Sequence, residues 1–140
     1  MIGILVVTHR QLGSALIDCA EFILGEKPEA LAAVSIDIRE NAADLRKKIE
    51  DGIKAVNHRQ GVLILTDMFG GTPSNLSYSF LEEGRIEVIS GVNLPILIKA
   101  VGMRPEKDLT ELAEYLESFG KKSISLASGI LKGNKRGTAK

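Results

Sequence analysis

The feature that most constrains this chain is a fourfold alternation between short apolar runs and longer amphipathic segments. Each apolar run, beginning with residues 2–7, has the length and composition of a strand that is buried on both faces of a sheet. The segments between them place apolar residues three or four positions apart, which is the spacing of an amphipathic helix. The alternation predicts an α/β domain with a parallel sheet and helices on both faces.

The predicted elements cover most of the chain. Strands are expected at 2–7, 31–38, 61–66 and 85–89, and helices at 11–24, 40–56, 72–81, 93–101 and 108–119. Asn41, Thr72 and Asn93 are suited to begin helices, and Cys19 lies on a stripe of the first helix that we expect to be buried. Residues 123–128 alternate polar and apolar side chains, which predicts a half-exposed strand at a sheet edge.

Length, charge and cysteine content exclude several classes of protein. The 140 residues make one ordinary domain, expected at 1–130, and a basic tail at 131–140 is expected to be disordered. Equal numbers of acidic and basic residues, 18 of each, argue against electrostatic capture of nucleic acid. A single cysteine excludes intrachain disulfides and cysteine-based metal sites, and favours a cytoplasmic location.

Two residues that carry chemistry follow the first and third predicted strands. His9 comes after the first strand and Asp67 after the third. In open α/β sheets the ligand site lies at the carboxyl ends of the strands, where the strand order reverses. The order 2-1-3-4 would therefore bring His9 and Asp67 together. A carboxylate on Nδ1 would leave Nε2 as a nucleophile. The other histidine, His58, lies in a polar turn and is expected at the surface.

A glycine-rich connection follows Asp67. Gly70 and Gly71 allow the backbone to approach a ligand closely. Thr72 and Ser74 lie at the start of the next predicted helix, where free N–H groups bind anions. A histidine, an orienting carboxylate and an anion cradle together predict phosphoryl transfer onto His9. The chain has neither a Walker A loop nor a dinucleotide fingerprint, and we expect no cofactor and no metal.

Three segments follow one another along the chain: Thr8-His9, TDMFGGTPSN at 66–75 and GVNLP at 91–95. Their order and spacing resemble the mannose-family enzyme IIA of the bacterial phosphoenolpyruvate-dependent sugar phosphotransferase system (PTS), over roughly residues 1–128. The resemblance implies a relay in which the carrier protein HPr, phosphorylated by enzyme I, gives a phosphoryl group to Nε2 of His9. An enzyme IIB partner would accept it and pass it to sugar entering through the membrane subunits IIC and IID.

The resemblance also implies site roles and an architecture. Asp67 matches the carboxylate that pairs with the active histidine, and four positions match the loop and helix start that receive the phosphoryl oxygens: Gly70, Gly71, Thr72 and Ser74. The family fold is a doubly wound sheet of four parallel strands and one antiparallel edge strand, for which 123–128 is the candidate. Members are often homodimers, and some exchange that last strand.

One residue departs from the family pattern. Arg10 stands directly after the active histidine, where the family commonly has glycine. An arginine there either binds phosphate through its guanidinium fork or crowds the surface on which partners dock. Met68, Phe69 and Asn93 are further candidates for contact with a partner or with phosphate.

Other functions remain open at the level of sequence. The chain could be a regulatory phosphoprotein, phosphorylated on His9 but controlling another protein instead of feeding a transporter. It could be the phosphotransfer subunit of a dihydroxyacetone kinase, which shares the fold and the N-terminal histidine. It could also be a binding module of the same fold that is never phosphorylated. Genes for IIB and membrane subunits next to its own would favour transport.

Overall fold

A four-stranded parallel sheet forms the centre of the protein. The computed structural model describes the backbone of residues 1–135 and the side chains of residues 1–132. The strands are β1 (Gly3–His9), β2 (Leu31–Ile36), β3 (Val62–Thr66) and β4 (Ile86–Ser90). They pair in parallel in the order β2-β1-β3-β4, which confirms the predicted order.

Helices cover both faces of the sheet, as expected. They are α1 (Leu12–Leu24), α2 (Ala42–Val56), α3 (Thr72–Tyr78), α4 (Leu94–Met103), α5 (Leu109–Lys122) and α6 (Ala127–Lys135). One core joins β1 and β3 to α1, α4 and α5, and the other joins the opposite sheet face to α2. In β1, Ile4 and Val6 enter the first core while Leu5 and Val7 enter the second, all without exposed surface. Burial on both faces explains why residues 3–7 of this strand are apolar.

Side-chain caps fix where several helices begin. The Asn41 side chain accepts a hydrogen bond from the Asp44 N–H at 2.9 Å, and the Asn93 side chain accepts one from the Ile96 N–H at 2.8 Å. Both residues were expected at these positions. Asp108 forms a reciprocal capping box with Glu111 at the start of α5. Each cap satisfies backbone N–H groups that have no partner inside the helix.

The buried face of α1 differs from the expected one. Gly13 and Ala20 face the sheet, whereas Cys19 is exposed and Leu12 and Ile23 are 47% and 56% exposed. The reason is close packing: a Cβ on Gly13 would lie 3.2 Å from atoms of Val6. Small residues let α1 approach the sheet, so Leu12, Cys19 and Ile23 are turned toward solvent, while Leu16 still packs against the first core.

The segment after α5 is not the expected strand. Residues 123–126 have no regular structure, and α6 begins at Ala127. The alternating pattern fails here because a strand forms only where a neighbour supplies backbone partners; Ile124 and Leu126 are 84% and 75% exposed. The tail at 131–140, which is expected to be disordered, is helical as far as Lys135, and residues 136–140 lie outside the described part.

Within the described residues, no helix is both long and apolar enough to span a bilayer.

A buried arginine that sequence patterns did not indicate joins the amino ends of β1 and β2. Arg104 follows α4 and is 4% exposed. Its guanidinium donates to the carbonyl oxygens of Ile2 at 3.0 Å, Glu29 at 2.6 Å and Ala30 at 3.3 Å. Burial lowers the pKa of Arg104, yet a guanidinium remains charged in proteins. The three carbonyl groups satisfy this buried charge.

Candidate functional site

His9 and Asp67 meet at the carboxyl ends of neighbouring strands, as predicted. Val7 on β1 is in register with Thr66 on β3, so the residues that follow lie side by side. Asp67 Oδ2 accepts hydrogen bonds from the His9 backbone N–H at 2.9 Å and lies 2.8 Å from Nδ1 of its ring. The His9 side chain is 39% exposed and that of Asp67 is 10% exposed. One carboxylate oxygen thus holds both the backbone and the ring of His9.

The charge of Asp67 fixes the proton on the imidazole. Burial raises the pKa of Asp67, but hydrogen bonds from the backbone and ring of His9 and from the Met68 N–H outweigh it, so the pKa lies below its ordinary value. An ionised carboxylate only accepts hydrogen bonds. Nδ1 therefore carries the ring proton, and Nε2 keeps a free lone pair.

Replacement of Asp67 by asparagine is expected to slow phosphorylation of His9 by roughly ten- to a hundredfold. The amide is similar in size, but it lacks the charge that fixes the ring proton on Nδ1 and stabilises a positive ring. The measurement is the single-turnover rate of phosphoryl transfer to the protein. Equal rates for the two proteins would contradict an orienting role for Asp67.

The stability of the same variant provides a pH control. Because the folded pKa of Asp67 lies below its ordinary value of 3.8, its ionisation stabilises the folded state above that pH. This contribution is lost as pH falls through the lower folded value. We expect the difference in unfolding free energy between the parent and Asp67→Asn to shrink below about pH 4. Urea titrations between pH 7 and pH 3 measure it.

The glycine-rich loop closes against the other side of the imidazole. A Cβ on Gly71 would lie 3.0 Å from Cε1 of His9 and 3.6 Å from Nε2. Gly70 has φ +85°, a left-handed conformation that glycine adopts without steric cost. Gly71 therefore lets the backbone approach Nε2 of His9 more closely than a residue with a Cβ would, and Gly70 supplies the turn that precedes it.

Ser74 shapes this loop from inside. Its side chain is fully buried; its hydroxyl accepts from the Gly70 N–H at 3.0 Å and donates to the Gly71 carbonyl at 3.0 Å. The hydroxyl predicted to receive phosphoryl oxygens is thus occupied within the loop. The cap of α3 is Gly71; Thr72 is the first helical residue instead of the expected N-cap. Thr72 remains half-buried beside Gly71.

Of the other candidate residues, three have exposed side chains and one has a side chain that is hydrogen-bonded within the fold. Arg10, Met68 and Phe69 are exposed around the site, the last two by 55% and 77%. The Asn93 side chain caps α4 and also donates to the Ser123 hydroxyl at 3.2 Å, so its amide is occupied by the fold.

Thr8 is a positioning residue that the sequence analysis missed. Its buried hydroxyl accepts from the Gly13 N–H at 2.7 Å and lies 3.2 Å from the His9 carbonyl oxygen, to which it donates. Thr8 thus joins the backbone of His9 to the first turn of α1. The sequence pattern that could have indicated Thr8 is a hydroxyl residue at the junction of a strand and a helix.

Over the described residues, no group of three or more His, Cys, Asp or Glu side chains could hold a metal ion.

Comparison with known proteins agrees with this geometry. The family model EIIA-man, described as "PTS system fructose IIA component", matches residues 3–117. The fructose-specific EIIA component of Bacillus subtilis is 33% identical over 129 residues, which are 91% of this chain and 88% of that protein. The mannose-specific EIIAB component of Escherichia coli K12 is also 33% identical, over 88% of this chain but only 38% of its own length. The crystal structure of EIIA from Streptococcus agalactiae superposes with a TM-score of 0.81 at 26% identity, covering 92% of this chain and 99% of that one.

Proposed function

Because the chain belongs to the mannose-type enzyme IIA family of the bacterial sugar phosphotransferase system, we propose that Nε2 of His9 accepts and donates the phosphoryl group. Enzyme IIA components are phosphotransferases of sugar transport. The environment of the two ring nitrogens of His9 is the observation that supports the proposal. Its Nδ1 lies 2.8 Å from Asp67, while Nε2 faces the loop at Gly71 in a ring that is 39% exposed.

The transfer step follows from this geometry. The lone pair of Nε2 attacks phosphorus, an N–P bond forms, and the bond from phosphorus to the donor breaks with its electron pair leaving on the donor. Nδ1 keeps its proton throughout, so attack needs no general base. Positive charge that develops on the ring is stabilised by the Asp67 carboxylate, as in other carboxylate–histidine pairs. Transfer to the acceptor is the reverse reaction with a different partner.

The proposed partners are phospho-HPr as the donor and an enzyme IIB as the acceptor, with sugar then phosphorylated at IIC and IID membrane subunits. The name of the Escherichia coli relative, EIIAB, supports a IIB acceptor. Met68 and Phe69 give the rim of the site an exposed apolar surface, which suits transient docking. A homodimer is also proposed, since the apolar side chains between α5 and α6 and on α6 are exposed: Ile124, Leu126, Ile130 and Leu131.

Phosphorylation of the unmodified protein tests the proposal. Phosphoenolpyruvate, enzyme I and HPr are expected to add one acid-labile, base-stable phosphoryl group, located at Nε2 of His9 by ³¹P NMR and peptide mass spectrometry. His58 is exposed in the turn before β3 and serves as an internal control that stays unmodified. Adding a mannose-type IIB should then discharge the label. Labelled HPr together with unlabelled His9 would overturn the proposal, and label that no IIB removes would favour a regulatory phosphoprotein.

A further inference from the structure

The residue after His9 has a backbone conformation that is costly for any side chain. Arg10 has φ +49°, in the left-handed region that favours glycine. The turn from β1 to α1 imposes this conformation: the Arg10 N–H donates to the Ile36 carbonyl at 2.9 Å, and the Thr8 hydroxyl lies 3.4 Å from the Arg10 carbonyl oxygen. Strained residues of this kind cluster at functional sites.

The Arg10 side chain is exposed and has no partner in the described part of the chain. A nearby carboxylate, Asp37, is bound through both oxygens by Arg39, at 2.7 Å and 3.0 Å. Hydrogen bonds from the side chain and backbone of Arg39 are the main cause of the lowered pKa of Asp37, and Arg10 adds only a small electrostatic contribution. The guanidinium donors of Arg10 are therefore free, and Arg10 directly follows His9 in the chain.

A phosphoryl group on His9 would need a cation. It would add negative charge next to Asp67, whose lowered pKa keeps it ionised. Two positions of the loop cannot contribute, because the Gly70 N–H is bonded to the Ser74 hydroxyl and proline at position 73 has no N–H.

We propose that the Arg10 guanidinium binds the phosphoryl oxygens of phosphorylated His9, an inference that rests on the function proposed above. Its planar fork matches two oxygens of a phosphoryl group. This contact accounts for an arginine at a position where glycine would be free of backbone strain. It also predicts that the phosphoryl group ionises more readily in this protein than it would without the guanidinium.

The test is a ³¹P NMR titration of His9 phosphorylated either by the HPr relay or chemically with phosphoramidate. Arg10→Gln is expected to raise the second pKa of the phosphoryl group by about one unit. The control is Arg59→Gln, which alters another exposed arginine with positive φ, +77°, in the turn before β3. It should leave that pKa unchanged. An unchanged phosphoryl pKa in Arg10→Gln would overturn the inference.

Glycine substitutions separate backbone strain from phosphoryl binding. Arg10→Gly and Arg59→Gly should both raise the melting temperature, since glycine tolerates positive φ. Only Arg10→Gly should also shorten the half-life of the phosphohistidine. Equal half-lives of the phosphohistidine in the two variants would show that Arg10 does not bind the phosphoryl group.

The two ways of phosphorylating His9 distinguish failure of this inference from failure of the proposed function. If phosphoramidate modifies His9 but phospho-HPr does not, the proposed function fails while the titration still tests Arg10. If neither modifies His9, both proposals fail.

Discussion

Replacing His9 by glutamine is expected to abolish phosphorylation of the protein while leaving it folded. The carboxamide has no nucleophilic lone pair comparable to that of Nε2. Loss of the ring contact to Asp67 should cost about 1–2 kcal/mol, and backbone N–H groups still bind both oxygens of that carboxylate. The measurement is label transferred from phosphoenolpyruvate, with the melting curve followed by circular dichroism.

His58→Gln is the matched control for this experiment. His58 is exposed in the turn before β3, at the end of the sheet opposite His9. Its replacement should leave both labelling and melting temperature as they are in the parent. Residual label in His9→Gln, or lost label in His58→Gln, would place the phosphoryl group elsewhere.

The largest loss of stability is expected when the buried guanidinium of Arg104 is removed. Arg104→Met keeps a flexible apolar stem but removes the charged donor from three carbonyl groups, of which that of Ala30 keeps the Ile4 N–H as a second donor at 2.9 Å. Hydrogen bonds from a charged group contribute about 1.5–3 kcal/mol each, and they are not additive. We therefore expect the free energy of unfolding to fall by about 3–5 kcal/mol, which is a large part of the stability of an ordinary domain. Urea unfolding at pH 7 measures this change.

An exposed arginine provides the comparison. Arg85 is paired with Glu82 at 3.1 Å, but its side chain is 72% exposed. Exposed ion pairs contribute little, so Arg85→Met should cost less than about 1 kcal/mol. Similar urea midpoints for Arg104→Met and Arg85→Met would show that the buried hydrogen bonds do not stabilise the sheet.

The sheet and the central pair of the site could be predicted because their signals are local and strong. Runs such as residues 62–65 are apolar because β3 is buried on both faces. His9 and Asp67 follow strands that the predicted order places side by side, so the topology alone brings them into contact. Asn41 and Asn93 begin helices through bonds to residues three positions later, which a sequence pattern also captures.

The failures came from contacts distant in sequence. The buried face of α1 depends on how closely Gly13 approaches Val6. The spacing of apolar residues in the sequence does not predict this distance. Whether 123–128 forms a strand depends on a neighbouring strand rather than on its alternation. The bonds of Arg104 join residues more than seventy positions apart. The role of Ser74 depends on a loop conformation that its residue types permit but do not specify.

The close packing of α1 has a consequence for how the site accommodates a tetrahedral group. On one side, Gly13 packs closely on Val6, and its N–H donates to the Thr8 hydroxyl. The backbone next to His9 therefore lies against a filled core. On the other side, a Cβ at Gly70 would meet nothing within 4 Å. The site therefore has one tightly packed side and one side on which Gly70 leaves open space. A tetrahedral group on Nε2 of His9, as proposed above, would find room on the side of the glycine loop, because the side toward α1 is filled.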